Sequence, residues 1–558
     1  MSKAACDNDI TRIRQLNEIG IALSSERDHD ALLERILTSA RELTQADAGT
    51  LYTVDAEKQQ LAFAIVQNDT LGIALGGRRE PVGDQFPFID LHEADGSPNE
   101  HLVVAYAVLN DTTVNIEDAY TAEGFDFSGT RKFDQATGYR SRAFLTVPMH
   151  DHEDNVVAVL QLLNKRTGQG IEGTFSQADQ HIAESLASQA AVAITNQRLI
   201  AEMQALFDSF TRVLATAIDA KSAHTGAHCR RVPEAMLRLA EATHRSTRPA
   251  VADFTLTDDD RYEIKTAAWL HDCGKVVTPH HVMEKSTKLE GLFDRLPMIE
   301  ARFAARCQAL HAEQLRAELE AYRQGQSFPD TERQRFAVQQ QQLTADMAFI
   351  RQANTGGEFM HDEDIKRLQA IAQQTWEDTE GHAQPLLTDE ELENLCIRKG
   401  TLNQHERKII EGHMTATLDM LNELPFPKHL QRVPEYAGGH HERMDGSGYP
   451  KGLTREQLSL PARMMGIADV FEALTAPDRP YKAPMQLSQA LTIMGHMVED
   501  NHLDPDLFTV FIEEGVYLDY AQHYLAKEQI DVVDVSSLPG LCADQALYPR
   551  LPVSKKDE

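Results

Sequence analysis

In "ALLERILTSARELTQADAGTLYTVD" (Ala31 to Asp55), apolar residues recur at Leu32, Leu33, Ile36, Leu37 and Ala40. That spacing predicts an amphipathic helix, and the end of the stretch predicts a strand. "QQLAFAIVQND" and "RAFLTVPMHDHEDNVVAVLQLLNK" also read as strands, the second as a hairpin turning at "DHEDN". With a lead-in helix over residues 1–30 and a closing helix, these elements predict an α+β domain over about residues 10–195.

From Ser176 to about Thr216 no Pro or Gly interrupts a helical pattern. Ile182, Leu186, Ala193, Ile200, Met203, Phe207, Phe210, Leu214 and Ala217 form one stripe at steps of three and four, interrupted by the polar Gln189 and Asn196. Forty such residues would run about 60 Å. The expectation is a connector, a coiled coil between two subunits, with a polar seam residue fixing the register.

From about Lys221 onward nearly every segment has helical period. Residues 297–397 stand apart as polar, Gln-rich and thinly apolar, broken at "QSFPD" and "NTGGEF". They predict a helical hairpin inserted into a domain. "TDEE" (Thr388 to Glu391) is a capping-box start for the helix that returns to the core.

A chain of 558 residues is too long for one core. It has no apolar run of about 18 residues and no apolar signal segment at its start, so a cytosolic protein is expected. The net charge of −32 argues against binding nucleic acid or an anionic membrane. An anionic small substrate would need a local positive spot inside that acidic shell. Cys6, Cys229, Cys273, Cys307, Cys396 and Cys542 are scattered without a CxxC, which argues against a disulfide framework and a thiolate zinc site.

The histidines carry the chemistry. "WLHDCGK" places His271 and Asp272 together after an apolar turn, with Lys275 four residues after His271 and so on the same face of a helix. An imidazole beside a carboxylate can hold one metal and share a second, and the lysine is placed to meet a phosphate oxygen or a leaving group. His228 lies in "HTGAHCRRV", His413 in "EGHMTATLDML", and His440 and His441 open "HHERMDGSGYP". Asp469 sits inside the apolar "MMGIADVFEAL", where an unpaired carboxylate would cost several kcal/mol unless a cation met it. Five histidines and two aspartates, with no thiolate, suit iron, manganese or zinc. More than four ligands implies at least two metals, about 3.5–4 Å apart, able to activate a water and clamp a phosphodiester. The other candidates have ordinary readings: His280 and His281 in "PHH" and His405 as surface residues, Asp504 as a helix cap before Pro505, Cys273 as a buried filler.

"HDCGK" with "HHERMDGSGYP" resembles the HD-GYP family of cyclic di-GMP phosphodiesterases, a branch of the HD-domain metal phosphohydrolases. "AIDAKSAHTGAHCRRV", "LNQHERKIIEGH" and "ADVFEALTAPDRPYK" fit as well. The resemblance runs from about Ala217 to Tyr520, apart from residues 297–397. It implies an all-α domain in which His228, His271, Asp272, His413, His440, His441 and Asp469 ligate metal, with Asp272 bridging. Lys275 would stand at the scissile phosphate, Gly448, Tyr449 and Pro450 would border the substrate, and Arg479 and Lys482 would meet the nucleotide phosphates. Two divalent metal ions are implied, iron first and manganese as the alternative. His224 stands where some members carry a glutamate for a third metal. The longer "TAPDRPYK" turn is a departure that loosens the placement of Arg479 and Lys482.

"VNIEDAYTAEGFDFSGTRKFDQATGYRSRAFLTVPM" and "NVVAVLQLLNK" resemble a GAF sensory domain. Asn164, Lys165, Phe175 and Asp179 follow the pattern of GAF domains that bind cyclic nucleotides, with Gln180 where that pattern has Glu. A cyclic nucleotide, another small ligand, or dimerisation alone are the readings there. The expected organisation is therefore multidomain: an α+β GAF domain (1–195), with a central antiparallel sheet and helices, joined by a long helix (176–216) to an all-α HD-type phosphohydrolase domain (217–530), then a tail (531–558). The expected function is hydrolysis of cyclic di-GMP to pGpG or GMP by a homodimer under GAF control. The alternatives are a phosphohydrolase for another cyclic dinucleotide or nucleotide, and a non-catalytic cyclic di-GMP receptor.

Overall fold

The computed structural model describes residues 3–83, 86–167, 170–221, 228–357, 359–476 and 485–541. The chain divides into two compact units, Met1–Phe207 and Asp208–Glu558.

In the first unit, helix α1 (Lys3–Ser25) is followed by α2 (His29–Thr44), which starts where the Asp28 carboxylate accepts the Ala31 N–H. Strands β1 (Ala46–Asp55), β2 (Gln60–Asn68), β3 (Ile73–Gly76) and β4 (Ile89–Asp90) come next. Then follow α3 (Val103–Leu109), β5 (Val114–Ile116), α4 (Ser128–Thr137), β6 (Phe144–His150), β7 (Val156–Thr167) and β8 (Gly170–Gly173). The sheet is antiparallel in the order β3-β2-β1-β7-β6-β5, with β4 on β2 and β8 on β7. Neighbouring residues point to opposite faces. Leu51 and Leu160 join the core that contains Ile36, Leu37, Leu186 and Ala190. Tyr52 and Val159 join a second core with Leu61 and Val104.

Helix α5 spans Gln177–Lys221, and the division between the units falls within it. The stripe that the sequence predicts passes from core to surface along the helix, with Ile200, Met203 and Phe210 exposed by 53–65%. Leu186 and Ala193 are buried in the first unit, whereas Val192, Leu199, Met203, Leu206, Phe210 and Val213 are exposed by 44–71%. With the exposed Asn196 they form their own run of three- and four-residue steps. The sequence could not separate two interleaved stripes, because only the sheet decides which one it covers.

The GAF pattern residues turn inward. Asn164 is fully buried, its carboxamide meeting the backbone of Arg140, Arg142 and Ala143 and the Tyr139 hydroxyl. The Lys165 ammonium pairs with Asp179, which also accepts the backbone N–H and hydroxyl of Ser176 at the start of α5. Phe175 belongs to the core. None of the four lines the hollow of about 650 Å³ between Arg41, Gln67, Asp69, Arg79 and Arg166.

In the second unit, α6 (His228–Arg245) and α7 (Asp258–Leu270) precede a short 3-10 turn at Cys273–Val277 and α8 (His280–Met283). Next come α9 (Leu296–Arg323), α10 (Asp330–Asn354), α11 (Asp362–Ala372), a small hairpin of β9 (Thr375–Glu377) and β10 (Ala383–Pro385), and α12 (Asp389–Leu395). The unit closes with α13 (Gln404–Asn422), α14 (Val433–Gly438), α15 (Leu460–Thr475), α16 (Leu487–Glu499), α17 (Pro505–Glu513) and α18 (Val516–Tyr524). The hairpin β9–β10 is the departure from an all-α expectation. The insertion has a core of its own: Phe303 and Leu310 on α9, Phe336, Leu343 and Ile350 on α10, and Leu368 on α11. Spacings of seven residues keep one apolar side chain every two turns on the shared face, which makes the sequence look thinly apolar. The buried Lys288 ammonium donates to the carbonyls of Leu395 and Ile397 at 3.1 and 2.7 Å, tying the two roots of the insertion together. No described helix is long and apolar enough to cross a membrane.

The Asp179 pair gives a stability prediction. Burial raises the Asp179 pKa, but Lys165 and Ser176 outweigh it, so the group stays ionised below the usual carboxylate range. Its contribution is therefore present above about pH 4 and lost as pH falls through the lowered folded value. Asp179→Asn leaves Lys165 without its partner. A loss of about 3 kcal/mol is expected at pH 7, read by denaturant unfolding of the first transition, with a flatter acid limb than wild type.

Candidate metal centre

His228 opens α6, His271 caps α7, His413 lies in α13, His440 and His441 follow α14, and Asp469 lies in α15. Five chain segments thus converge. His228, His271 and Asp272 have ligand atoms within 4.8 Å of one another, and so do His413, His440 and His441. Asp272 stands between the two groups. Its Oδ2 is 3.4 Å from His228 Nε2 and 3.3 Å from His271 Nε2. Its Oδ1 is 3.4 Å from His413 Nε2 and 3.9 Å from His440 Nε2. Asp469 Oδ1 closes the first group, 3.2 Å from His228 Nε2 and 3.7 Å from His271 Nε2.

The ring orientations have local causes. The Nδ1 atoms of His271, His413 and His440 donate to the carbonyls of Ala268, Ile410 and Ala437, three residues back, at 2.8, 2.5 and 2.6 Å. A carbonyl can only accept, so each Nδ1 carries the proton and each Nε2 keeps a lone pair aimed inward. His228 Nδ1 pairs instead with the Glu472 carboxylate.

Close backbone approach brings the groups together. A Cβ on Gly274 would lie 2.0 Å from the His413 carbonyl oxygen and 2.5 Å from the Thr417 nitrogen, so only glycine lets the 273–277 turn meet α13. The Gly274 N–H donates to Thr417 Oγ1 at 2.9 Å. This turn corrects the expectation that Lys275 shares a helix face with His271. The helix stops at Leu270, and Lys275 reaches Asp272 from a 3-10 turn.

The donor set fits divalent cations. Asp272 Oδ1 and His413 Nε2 are buried without a hydrogen-bond partner, an arrangement that costs about 1–3 kcal/mol per group unless something else meets them. Burial would protonate the aspartates, yet cationic and imidazole neighbours hold Asp272 and Asp469 well below the usual carboxylate range. Burial pushes His441 down to about 4 and His440 well below the imidazole value. For His271 burial is outweighed by Asp272 and Asp469, which lift it to about 9, so without a cation beside it that ring takes a second proton at Nε2, which a bound metal would displace. Ionised carboxylates among inward lone pairs are what a metal pair requires.

The quoted glycine-rich loop borders the second group. The Tyr449 ring stacks on His441 at 4.8 Å and 23°, and its N–H donates to the His441 carbonyl at 3.2 Å. Gly448 packs against Glu442 and Arg443, where a Cβ would meet backbone at 2.4–2.6 Å. Tyr449–Pro450 is a cis peptide. Two buried acids here escaped the sequence reading. Glu442 holds the loop by accepting the N–H groups of Lys451 and Leu453 at 2.8 and 2.9 Å. Glu472 holds His228. Glu472 carries the same signal as Asp469, an acid inside an apolar helix. His224, Arg479 and Lys482 lie outside the described residues. His280, His281 and His405 are exposed, and Asp504 caps α17.

Residues 28–194 match the GAF domain family and residues 389–507 an HD domain family. The chain is 41% identical over 123 residues to 3'3'-cGAMP-specific phosphodiesterase 1 of Vibrio cholerae, 22% of this chain and 28% of that protein. It is 38% identical over 111 residues to 3'3'-cGAMP-specific phosphodiesterase 3 of the same organism, 20% and 23% of the two chains. A cyclic di-GMP phosphodiesterase of Pseudomonas aeruginosa is 46% identical over 79 residues, 14% and 18% of the two chains. Each match spans under a third of the relative's own length. The chain therefore joins a GAF domain to an HD domain.

Proposed function

We propose that the HD unit is a metal-dependent phosphodiesterase for cyclic di-GMP, releasing pGpG or GMP. The observation that carries this reading is Asp272, whose two oxygens face two separate histidine groups, with Oδ1 and His413 Nε2 buried and unpartnered between them. The names of the matched relatives support the substrate class. They also favour 3'3'-cGAMP as a second substrate, since two of the three are named for it.

Two metals held by His228, His271 and Asp469 on one side, by His413, His440 and His441 on the other, and by Asp272 between them would activate a water and stabilise charge on the phosphate. Iron is the first choice and manganese the second, because imidazoles outnumber carboxylates and no thiolate is present. A third metal would need His224. The Lys275 ammonium, held against Asp272, offers charge or a proton to the leaving oxygen. Tyr449, fixed on His441, gives a nucleotide a flat apolar wall, with Gly448 and Pro450 beside it. Arg479 and Lys482 would meet the nucleotide phosphates.

The molecule acts as a cytoplasmic homodimer in this reading. The exposed seam of Val192, Leu199, Met203, Leu206, Phe210 and Val213 has coiled-coil spacing, and Asn196 within it would fix the register. A small ligand on the GAF domain would shift the helix pair and so the catalytic halves. Equal turnover with and without the GAF domain contradicts that control.

Purified anaerobically, the protein is expected to carry two metal ions per chain and to hydrolyse cyclic di-GMP and 3'3'-cGAMP. Stripping by a chelator abolishes turnover, and the returned metal restores it. Asp272→Asn is expected to lower both metal content and turnover by at least a hundredfold, since changes outside the ligand shell alone cost about 10–100-fold. A metal-loaded wild type that binds but does not cleave either dinucleotide supports the receptor reading instead. Met203→Glu with Leu206→Glu is expected to convert a particle of twice the 62.4 kDa chain mass to a monomer by light scattering.

A further inference from the structure

The histidines of the site do not share one kind of support. Three of them lean on neutral carbonyls of their own helical turn. His228 is held by charge. Its Nδ1 meets Glu472 Oε2, and the other oxygen of that carboxylate accepts the Arg231 guanidinium at 2.6 Å. Glu472 is 1% exposed, and both its oxygens are engaged, so it has no freedom to rotate away.

Helix α15 therefore grips one imidazole at both nitrogens. Asp469 faces Nε2 at 3.2 Å, and Glu472, three residues later on the same helix, takes Nδ1. Arg231, three residues after His228 on α6, returns the contact. The first group thus has three acids in contact with its histidines: Asp272, Asp469 and Glu472. Among the described residues, the carboxylate within 4 Å of the second group's ring nitrogens is Asp272. A carboxylate on the far nitrogen makes an imidazole a stronger donor than a carbonyl does, and it fixes the tautomer.

We propose that Glu472, anchored by Arg231, is a positioning residue that makes the His228–His271–Asp469 half the tighter of two unequal metal sites. Metal fills that half first and leaves it last. The inference rests on the two-metal reading above. It goes beyond that reading by ranking the two sites and by giving the rank to a residue that touches no metal.

The test measures metal affinity, not turnover. Apoprotein is titrated with Mn(II) and followed by electron paramagnetic resonance of the free ion, with binding referred to the folded fraction. Wild type is expected to show two steps. Glu472→Gln keeps the shape of the side chain and an acceptor for Nδ1–H but removes the charge, so the first step should weaken about tenfold while the second stays put. Glu472→Ala removes both and should weaken the first step up to about a hundredfold. Arg231→Met leaves Glu472 in place but unanchored and should fall between them. Unchanged first-step affinity in all three variants overturns the proposal, as does equal weakening of both steps. A wild type that binds no metal would instead defeat the two-metal reading itself, which keeps the two failures apart.

Discussion

Asp272 is 2% exposed, and its two oxygens look at different histidine groups. Leaving such a charge unpaired would cost several kcal/mol. The Lys275 ammonium meets Oδ2, but Oδ1 has no hydrogen-bond partner, and a cation where the inward Nε2 atoms converge would meet it. Much of the helical unit follows from holding this carboxylate in place. Gly274 lets its turn touch α13, and three helices present histidines whose own carbonyls fix the ring. Helix α15 adds a second acid from the other side.

The site is built from segments far apart in sequence, with a hundred-residue insertion between them. That insertion does not disturb the site because it is closed on itself. It has its own core, and the buried lysines 285 and 288 pin its two roots together. The chain can therefore leave the HD unit after α8 and return at α12 with the spacing of His271 and His413 set by the turn at Gly274. On the other unit, the sheet decides which stripe of α5 is core. What remains outside is a separate apolar seam.

The seven candidate ligand positions were legible for different reasons. Asp469 stood out as an acid inside an apolar helix, while the histidines in polar stretches, His228, His440 and His441, were placed by their motifs together. Glu472 carried the same signal as Asp469 and was passed over, because its partner is a ring nitrogen on another helix, and spacing along one helix does not reveal that. Lys275 was placed on a helix that ends five residues earlier, since four-residue spacing fits a helix and a 3-10 turn alike over so short a span. The stripe on α5 shares Asn196, Met203 and Phe210 with the exposed seam, and the sequence did not show that Leu186 and Ala193 belong to the core instead, because two apolar faces share one sequence. Asn164, Lys165 and Asp179 matched a ligand-binding pattern, and in the structure Asn164, Lys165 and Asp179 Oδ2 brace the domain, while Asp179 Oδ1 is buried without a hydrogen-bond partner.

The central claim is that one buried carboxylate bridges two metals. Anomalous diffraction from crystals grown with Mn(II), collected at the manganese edge, tests it directly. Two peaks about 3.5–4 Å apart, one on each side of Asp272, are the expected result. A single peak, or two peaks of which only one touches Asp272, would contradict it.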